Sequence, residues 1–178
     1  MRAAHLIVTV TMTCLVPVLG LQAQFPDTAD SWYRESIVEL QQRGIVRGLG
    51  DGTFRPRETV TRAEMLKIAM EAAKRYPQPD TSYQCFPDVA AAAWYAPYIC
   101  TAKELGIAQG HIDGRFRPNG PVTVHEALAF LARTLELPVD DAGTPAHWYE
   151  PYETFAEREG LIAAERYNVT QQVRRGQV

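Results

Sequence analysis

The stretch that decides the fold, Asp51–Pro56, has the sequence DGTFRP, and it recurs as DGRFRP at Asp113–Pro118. Each copy begins 19 residues after a tryptophan, which is Trp32 in the first copy and Trp94 in the second. A third tryptophan, Trp148, has no such stretch after it. Repetition at this spacing indicates supersecondary units that must pack against one another to bury their apolar faces.

Three further motifs occur in the same order in both copies. These are Phe-Pro-Asp at 25–27 and 86–88, Gly-Ile-x-x-Gly at 44–48 and 106–110, and Val-Thr-x-x-Glu at 60–64 and 122–126. Together the motifs resemble those of the S-layer homology (SLH) domain, over nearly all of the chain after residue 24. The resemblance implies a mainly α fold, in which tandem helix-loop-helix repeats pack as a pseudo-threefold helical bundle.

The repeats predict four parts: a signal peptide at 1–23, repeat 1 at 24–84, repeat 2 at 85–138 and a partial repeat 3 at 139–178. Repeat 3 lacks the Asp-Gly turn, and Val173–Val178 stands where the other copies have their Val-Thr-x-x-Glu motif. The helix that follows this motif in the other copies is absent. We therefore expect a missing continuation, a partner chain or reduced stability, with 163–178 as the least stable segment.

The first residues predict export. An early Arg2 precedes the apolar run Leu6–Leu21, which is shorter than a membrane span and ends in small residues, as in a cleavable signal peptide. A retained anchor is the alternative. Lipidation at Cys14 is less favoured, because Thr13 stands where a small residue such as Gly or Ala is needed. The predicted location is the cell envelope, at the cell surface or in the periplasm.

Composition excludes several classes of function. The formal net charge is −3, and the sequence has no stripe of basic residues. Both features argue against a nucleic-acid partner. The Asp51 loop offers too few oxygen side chains for a calcium site. Glu64 and Glu126 are better explained as helix-capping residues than as general acids, because glycoside hydrolysis needs a fixed pair of carboxylates. We expect no metal, no cofactor and no catalysis.

Cys85 and Cys100 are the two cysteines outside the predicted signal peptide. An even pair in an exported protein indicates a disulfide. Two buried thiols remain the alternative.

Residues that favour the start of a helix occur at matching positions in the repeats. Ser31 is a suitable N-cap for a first helix that carries Trp32 on its buried stripe, and later helices are predicted at 94–105 and 148–159. Thr61 and Thr123 each stand three residues before a glutamate, which is the pattern of a capping box.

Arg62 is the strongest candidate for ligand binding. A cation in the first turn of a helix opposes the helix dipole unless it helps to gather an anion. In the SLH family the matching arginine contacts an acidic, often pyruvylated, polysaccharide; an ion pair with Glu35 or Glu58 is the alternative. Repeat 2 has Val124-His125 instead, and repeat 3 keeps its arginine. The candidate ligand-binding residues are Arg62, Asp51, Gly52, Trp32, Trp94, Asp113, Gly114 and Arg175.

Each candidate has a structural alternative. The Asp-Gly pairs are also ordinary turns, and the tryptophans could serve packing rather than stacking on a sugar ring. The predicted function is non-catalytic anchoring to an anionic polysaccharide linked to peptidoglycan. Two alternatives stay open: a module that assembles with other envelope proteins, and the anchoring part of an exported enzyme.

Overall fold

The computed structural model describes residues 25–77, 84–140, 145–162 and 170–178. Within these ranges the chain forms five α-helices: α1 (Arg34–Gln42), α2 (Arg62–Ala72), α3 (Ala96–Glu104), α4 (Val124–Thr134) and α5 (Glu150–Arg158). The predicted mainly α fold is therefore confirmed. The predicted signal peptide and Cys14 lie outside the described residues. None of the described helices is both long enough and apolar enough to cross a membrane.

Helices α1, α3 and α5 begin two residues after their tryptophans, so the predicted helix starts at the tryptophans are wrong. The Trp-Tyr pair forms a turn instead, and the Ser31 hydroxyl accepts a hydrogen bond from the Tyr33 N–H at 3.3 Å. A proline occupies the first turn of α3 and of α5, where its fixed φ favours helix initiation. Trp32 is 90% exposed and is therefore not part of a buried stripe.

Helices α2 and α4 begin at the predicted caps. The Thr61 hydroxyl accepts from the Glu64 N–H at 3.2 Å, and the Glu64 carboxylate accepts from the Thr61 N–H at 2.9 Å. In α4 the Glu126 carboxylate accepts from the Thr123 N–H at 3.0 Å. Each carboxylate is thereby fixed at the N-terminus of its helix, where the helix dipole favours negative charge.

A ring of three valines joins the repeats. The Val60 N–H donates to the Val173 carbonyl, the Val173 N–H to the Val122 carbonyl, and the Val122 N–H to the Val60 carbonyl, each at 2.9 Å. All three side chains are buried. One valine comes from each of the three predicted repeats, so the ring marks the pseudo-threefold centre of the molecule.

The apolar core lies around this ring. Helix α2 packs against α3 and α4, and α4 also packs against α5. The larger cluster includes Leu66, Met70, Ile99 and Phe116, while a smaller one under α1 includes Ile37 and Phe54. The phenylalanine of each Asp-Gly-x-Phe stretch thus anchors its loop to the core.

The predicted disulfide is confirmed. Cys85 and Cys100 are bonded, with their Cα atoms 5.4 Å apart. The bond links the chain immediately before Phe86 to helix α3, and both sulfur-bearing side chains are buried. It therefore fixes the entry of repeat 2 against its own first helix.

Candidate functional site

The Asp-Gly loops are held by a second aspartate from the Phe-Pro-Asp motif. The Asp27 carboxylate accepts from the backbone N–H groups of Phe54 and Arg55 at 3.0 and 2.6 Å. The Asp88 carboxylate accepts from the Phe116 and Arg117 N–H groups at 2.9 and 2.7 Å. These hydrogen bonds hold both Asp-Gly loops in place.

The carboxylates of the Asp-Gly pairs are used within their own turns. Asp51 accepts from the Thr53 N–H and from the Arg55 guanidinium, and hydrogen bonds to these residues lower the pKa of Asp51. Asp113 makes the matching pair of contacts in repeat 2. Gly52 and Gly114 adopt positive φ angles of 79° and 76°, which these turns require. This geometry agrees with the interpretation of the pairs as turns.

Arg62 contacts repeat 2 rather than its own loop. Its side chain is 6% exposed, its Nε–H donates to the Phe116 carbonyl at 2.8 Å, and its guanidinium pairs with Glu126 at 2.7 Å. The guanidinium also lies over the Phe116 and Phe130 rings. The ion pair predicted as the alternative thus exists, but its partner is Glu126 and not Glu35 or Glu58.

Arg175 repeats this arrangement on repeat 1. Its Nε–H donates to the Phe54 carbonyl at 2.8 Å, its guanidinium lies 3.2 Å from the Glu64 carboxylate, and it covers the Phe54 ring. Each arginine therefore joins its own segment to the loop and the capping glutamate of another. In repeat 2 the equivalent residue is Val124, which cannot form such a bridge.

The glutamate in the Arg62 bridge, Glu126, is held in its ionised form. Burial raises the pKa of the Glu126 carboxyl, but the hydrogen bond from Thr123 and the charge of Arg62 outweigh burial, and the net pKa is lowered. Glu126 is therefore ionised near neutral pH and holds the buried guanidinium.

Two grooves open beside these bridges, in equivalent positions of the fold. Groove A, of about 270 Å³, lies between α2 and the start of repeat 2 and is lined by Ile45, Val46, Arg47, Leu49, Phe54, Val60, Glu64, Lys67, Ile68, Trp94, Arg175 and Val178. Three of these side chains are cationic and one is anionic. Trp94 is 55% exposed at its edge.

Groove B, of about 510 Å³, lies between α4 and the start of α5 and is lined by Arg62, Gln109, Gly110, His111, Ile112, His125, Glu126, Ala129, Phe130, Arg133 and Trp148. Trp148 corresponds to Trp94, and Arg62 corresponds to Arg175. Trp148 is 52% exposed. Both grooves thus combine a half-exposed indole with an arginine bridge, which is buried in groove B and partly exposed in groove A.

Trp32 lies elsewhere. It lines a third, wider cavity of about 790 Å³ together with Asp27, Arg55, Arg57 and Arg174. The structure therefore divides the predicted candidates among separate places: Trp94 with Arg175 in groove A, Arg62 in groove B, and Trp32 in this third cavity.

Sequence reasoning missed several lining residues. Arg47 is a variable position of the Gly-Ile-x-x-Gly motif, and Lys67 lies outside the motifs. Trp148 was recognised as the tryptophan of repeat 3 but was not taken as a candidate. The two groove B histidines were visible only as departures from repeat 1, which has Leu49 and Ala63 at those positions. Among the described residues, no group of three or more His, Cys, Asp or Glu side chains is arranged to hold a metal ion.

The chain matches the sequence model of the S-layer homology domain at residues 24–66 and 86–123. It is 30% identical over 93% of its length to the surface-layer 125 kDa protein of Lysinibacillus sphaericus, and covers 14% of that protein. It is 32% identical over 78% of its length to the S-layer protein sap of Bacillus anthracis, and covers 17% of it. An amylopullulanase of Thermoanaerobacterium thermosulfurigenes is 35% identical over 64% of the chain, which covers 6% of that enzyme.

Proposed function

Because the chain belongs to the S-layer homology domain family, a cell-surface anchoring module, we propose that it anchors an exported protein by binding an anionic polysaccharide linked to peptidoglycan. The protein is exported and acts at the cell surface. Binding takes place in groove A, and anchoring rather than catalysis is the role of the chain.

The observation that carries the proposal is the charge of groove A beside an exposed indole. Arg47, Lys67 and Arg175 contribute three positive charges, and Glu64 contributes one negative charge. Neither Arg47 nor Lys67 forms an ion pair with another described residue. Both are therefore available to an acidic sugar, whose ring face would stack on Trp94.

The remaining candidates support the groove in different ways. Arg175 carries charge at the base of the groove while it bridges to Glu64. Asp51 and Gly52 shape the loop that forms one wall, as Asp113 and Gly114 do in repeat 2. Arg62 and Trp32 belong to the other two cavities and are not needed for binding in groove A.

Binding to purified cell-wall sacculi tests the proposal. We expect the parent protein to sediment with sacculi that carry their attached polymer and not with sacculi stripped of it. Trp94→Ala should weaken binding about tenfold or more, because stacking of the sugar ring on the indole and its apolar contact are lost together. Lys67→Glu should weaken it further by reversing a charge in the groove.

Trp32→Ala is the matched control, because it removes another exposed indole from a separate cavity. It should bind as the parent does. Equal binding by the parent and by the Trp94→Ala, Lys67→Glu double variant, with circular dichroism showing both folded, would exclude groove A as the site.

One observation favours the assembly alternative. A cavity of about 350 Å³ between α4, α5 and the last residues is lined mainly by apolar side chains, including Leu128, Leu131, Leu135 and Val178. A helix from another polypeptide would fit such a surface. Sedimentation equilibrium separates the two functions: a monomer that binds polymer-bearing sacculi supports anchoring alone, whereas a defined oligomer supports assembly.

A further inference from the structure

The contact between repeats 1 and 2 combines a buried ion pair with hydrogen bonds of the backbone. The Arg62 guanidinium lies 2.7 Å from the Glu126 carboxylate. The Arg62 and Ala63 N–H groups donate to the Gly120 and Pro118 carbonyls at 2.9 and 3.1 Å. Helix α2 therefore begins against the loop of repeat 2, and a change in charge beside this loop acts on the start of α2.

A titratable side chain, His111, lies at this contact. It lines groove B together with Arg62 and Glu126. The matching residue of repeat 1 is Leu49, which lines groove A. The His111 backbone is held in the loop, because its N–H donates to the Arg115 carbonyl at 2.8 Å. An imidazole thus stands beside the ion pair at a position where repeat 1 has an apolar side chain.

The surroundings of the His111 ring fit its neutral form. Its Nε2 atom is shielded from solvent and has no hydrogen-bond partner among the described residues. A protonated imidazole donates from both ring nitrogens, so the cation would leave a shielded donor without an acceptor. An unpaired donor on a charged group costs more free energy than one on a neutral group.

The charged groups that face His111 also oppose its protonation. Arg62 on α2 and Arg117 in the loop are positive, whereas Glu126 on α4 and Asp113 in the loop are negative. Burial, followed by the charges of the two arginines, lowers the pKa of His111. Both carboxylates already have partners, because Glu126 pairs with Arg62 at 2.7 Å and Asp113 with Arg117 at 2.9 Å. A protonated His111 gains an anionic partner only by competing with an arginine.

Two further basic side chains of α4 line the same groove. His125 stacks on Tyr149 with 4.6 Å between ring centroids, and Arg133 donates to Tyr152 Oη at 2.9 Å. Among the described residues that line groove B, Glu126 is the only carboxylate. It is therefore the anion for which Arg62 and a protonated His111 compete.

We propose that His111 is an acid-sensitive switch in the contact between repeats 1 and 2: its protonation draws the Glu126 carboxylate away from Arg62 and loosens the start of α2 against the repeat 2 loop. The contact between repeats 1 and 3 has Leu49 beside the Arg175–Glu64 bridge and lacks this sensitivity. Acid therefore weakens one side of the pseudo-threefold arrangement before the other. The switch does not depend on which ligand the protein binds.

The sign of the pH dependence follows from comparison with the unfolded chain. Unfolded His111 takes up its proton near pH 6.5, whereas the folded protein takes it up only at lower pH. The contribution of neutral His111 to stability is therefore complete above about pH 6.5 and is lost as pH falls below it. The pKa of Glu126 is lowered in the folded protein, so this carboxyl titrates in stronger acid than His111 does.

Urea unfolding at pH 7.5 and at pH 5 tests the proposal. His111→Leu gives the loop the residue that repeat 1 carries, and His111→Gln keeps a polar side chain that does not titrate. Between the two pH values, the unfolding equilibrium constant should rise at least about threefold more in the parent than in either variant. His147→Gln, which removes a histidine outside the lining of groove B, should keep the pH dependence of the parent.

Hydrogen exchange shows where the fold loosens. As pH falls from 7.5 to 5, protection of the Arg62 and Ala63 amides, corrected for intrinsic exchange rates, should fall at least about threefold in the parent and remain constant in His111→Leu. The Arg175 amide donates to the Glu58 carbonyl at 2.8 Å in the contact between repeats 1 and 3. Its protection should remain constant in both proteins, which separates a local switch from general destabilisation by acid.

Three results would overturn the proposal. These are a His111 pKa at or above about 6.5 in the folded protein by NMR, the same pH dependence of stability in the parent and in both variants, and an equal loss of protection at Arg62 and Arg175. If His111→Leu does not fold, the comparison with His111→Gln decides the outcome. An absence of binding to polymer-bearing sacculi would contradict the proposed function and leave these results unchanged.

Discussion

At the scale of single residues, the sequence predicts that Arg62 has an anionic partner but does not predict which residue it is. A cation in the first turn of a helix needs a negative partner, and Arg62 has one. The partner is Glu126, 64 positions along the chain, at 2.7 Å. No spacing rule within one repeat could have identified it, because the contact depends on how the repeats are arranged around the valine ring.

Arg62→Ala should therefore destabilise the fold rather than leave it intact. The change leaves the largely buried Glu126 carboxylate without its cation and the Phe116 carbonyl without its donor. Loss of one partner from a buried pair costs about 3 kcal/mol. Urea unfolding at pH 7 measures this, with Arg57→Ala on the exposed loop as a control that should stay within about 0.5 kcal/mol of the parent.

The same pair predicts a pH dependence. The pKa of Glu126 is lowered in the folded protein, so its stabilising contribution is complete above the ordinary glutamate pKa and is lost as pH falls through the lowered value. The difference in stability between the parent and Arg62→Ala should consequently shrink in acid. A constant difference from pH 7 to pH 3 would show that lost packing, not lost charge, accounts for the effect.

At the scale of elements, the sequence predicted helices better than helix starts. Capping boxes at Thr61 and Thr123 located the beginnings of α2 and α4 because the signal is local and chemical. The starts of α1, α3 and α5 were placed two residues early, at the tryptophans; for α1 the reason is that Trp32 was assigned to an apolar stripe. The residues of the grooves could not be grouped in advance, since each groove takes side chains from separate repeats.

The disulfide belongs to this scale, because it fastens one loop to α3. It closes 15 residues, and in the chain-entropy model a loop of this length contributes roughly 3 kcal/mol. We expect Cys85→Ala, Cys100→Ala to lower stability by about this amount and reduction of the parent to do the same. Repeat 1 has no such bond, so the variant should keep its helical circular dichroism spectrum.

Intact mass provides the accompanying check. The exported protein should be about two mass units lighter before reduction than after it, which corresponds to the two hydrogens of one disulfide. Two thiols that are freely alkylated in the native protein would contradict the bond.

At the scale of the whole molecule, residues 170–178 complete the valine ring. The motifs of repeat 3 are too degraded for the sequence to show this, and 163–178 was accordingly expected to be the least stable segment. Of that segment, residues 163–169 lie outside the described residues. Residues 170–178 are tied to both other repeats, because the Val124 N–H donates to Gln171, and the Arg175 and Gly176 N–H groups donate to Glu58 and Pro56.

Hydrogen exchange should therefore show protection where the sequence predicted instability. The amides of Val173, Arg175 and Gly176 donate to carbonyls of other repeats, so we expect them to exchange only when the repeats separate, at rates close to those of buried amides in α2. Exchange at the rate of an unstructured peptide, while α2 stays protected, would mean that the ring opens independently of the helices.

Removal of residues 171–178 gives the corresponding thermodynamic prediction. The truncated protein loses the valine ring, the buried Val173 side chain and the Arg175–Glu64 bridge. These losses act on the contacts of residues 171–178 with the other two repeats, whereas α2 still packs against α3 and α4 and Arg62 still pairs with Glu126. We therefore expect a lower unfolding temperature. The matched variant Arg174→Ala, at an exposed position of the same segment, should unfold as the parent does. If the truncated protein instead unfolded in one transition at the parent's temperature, the ring would be a consequence of the fold and not one of its causes.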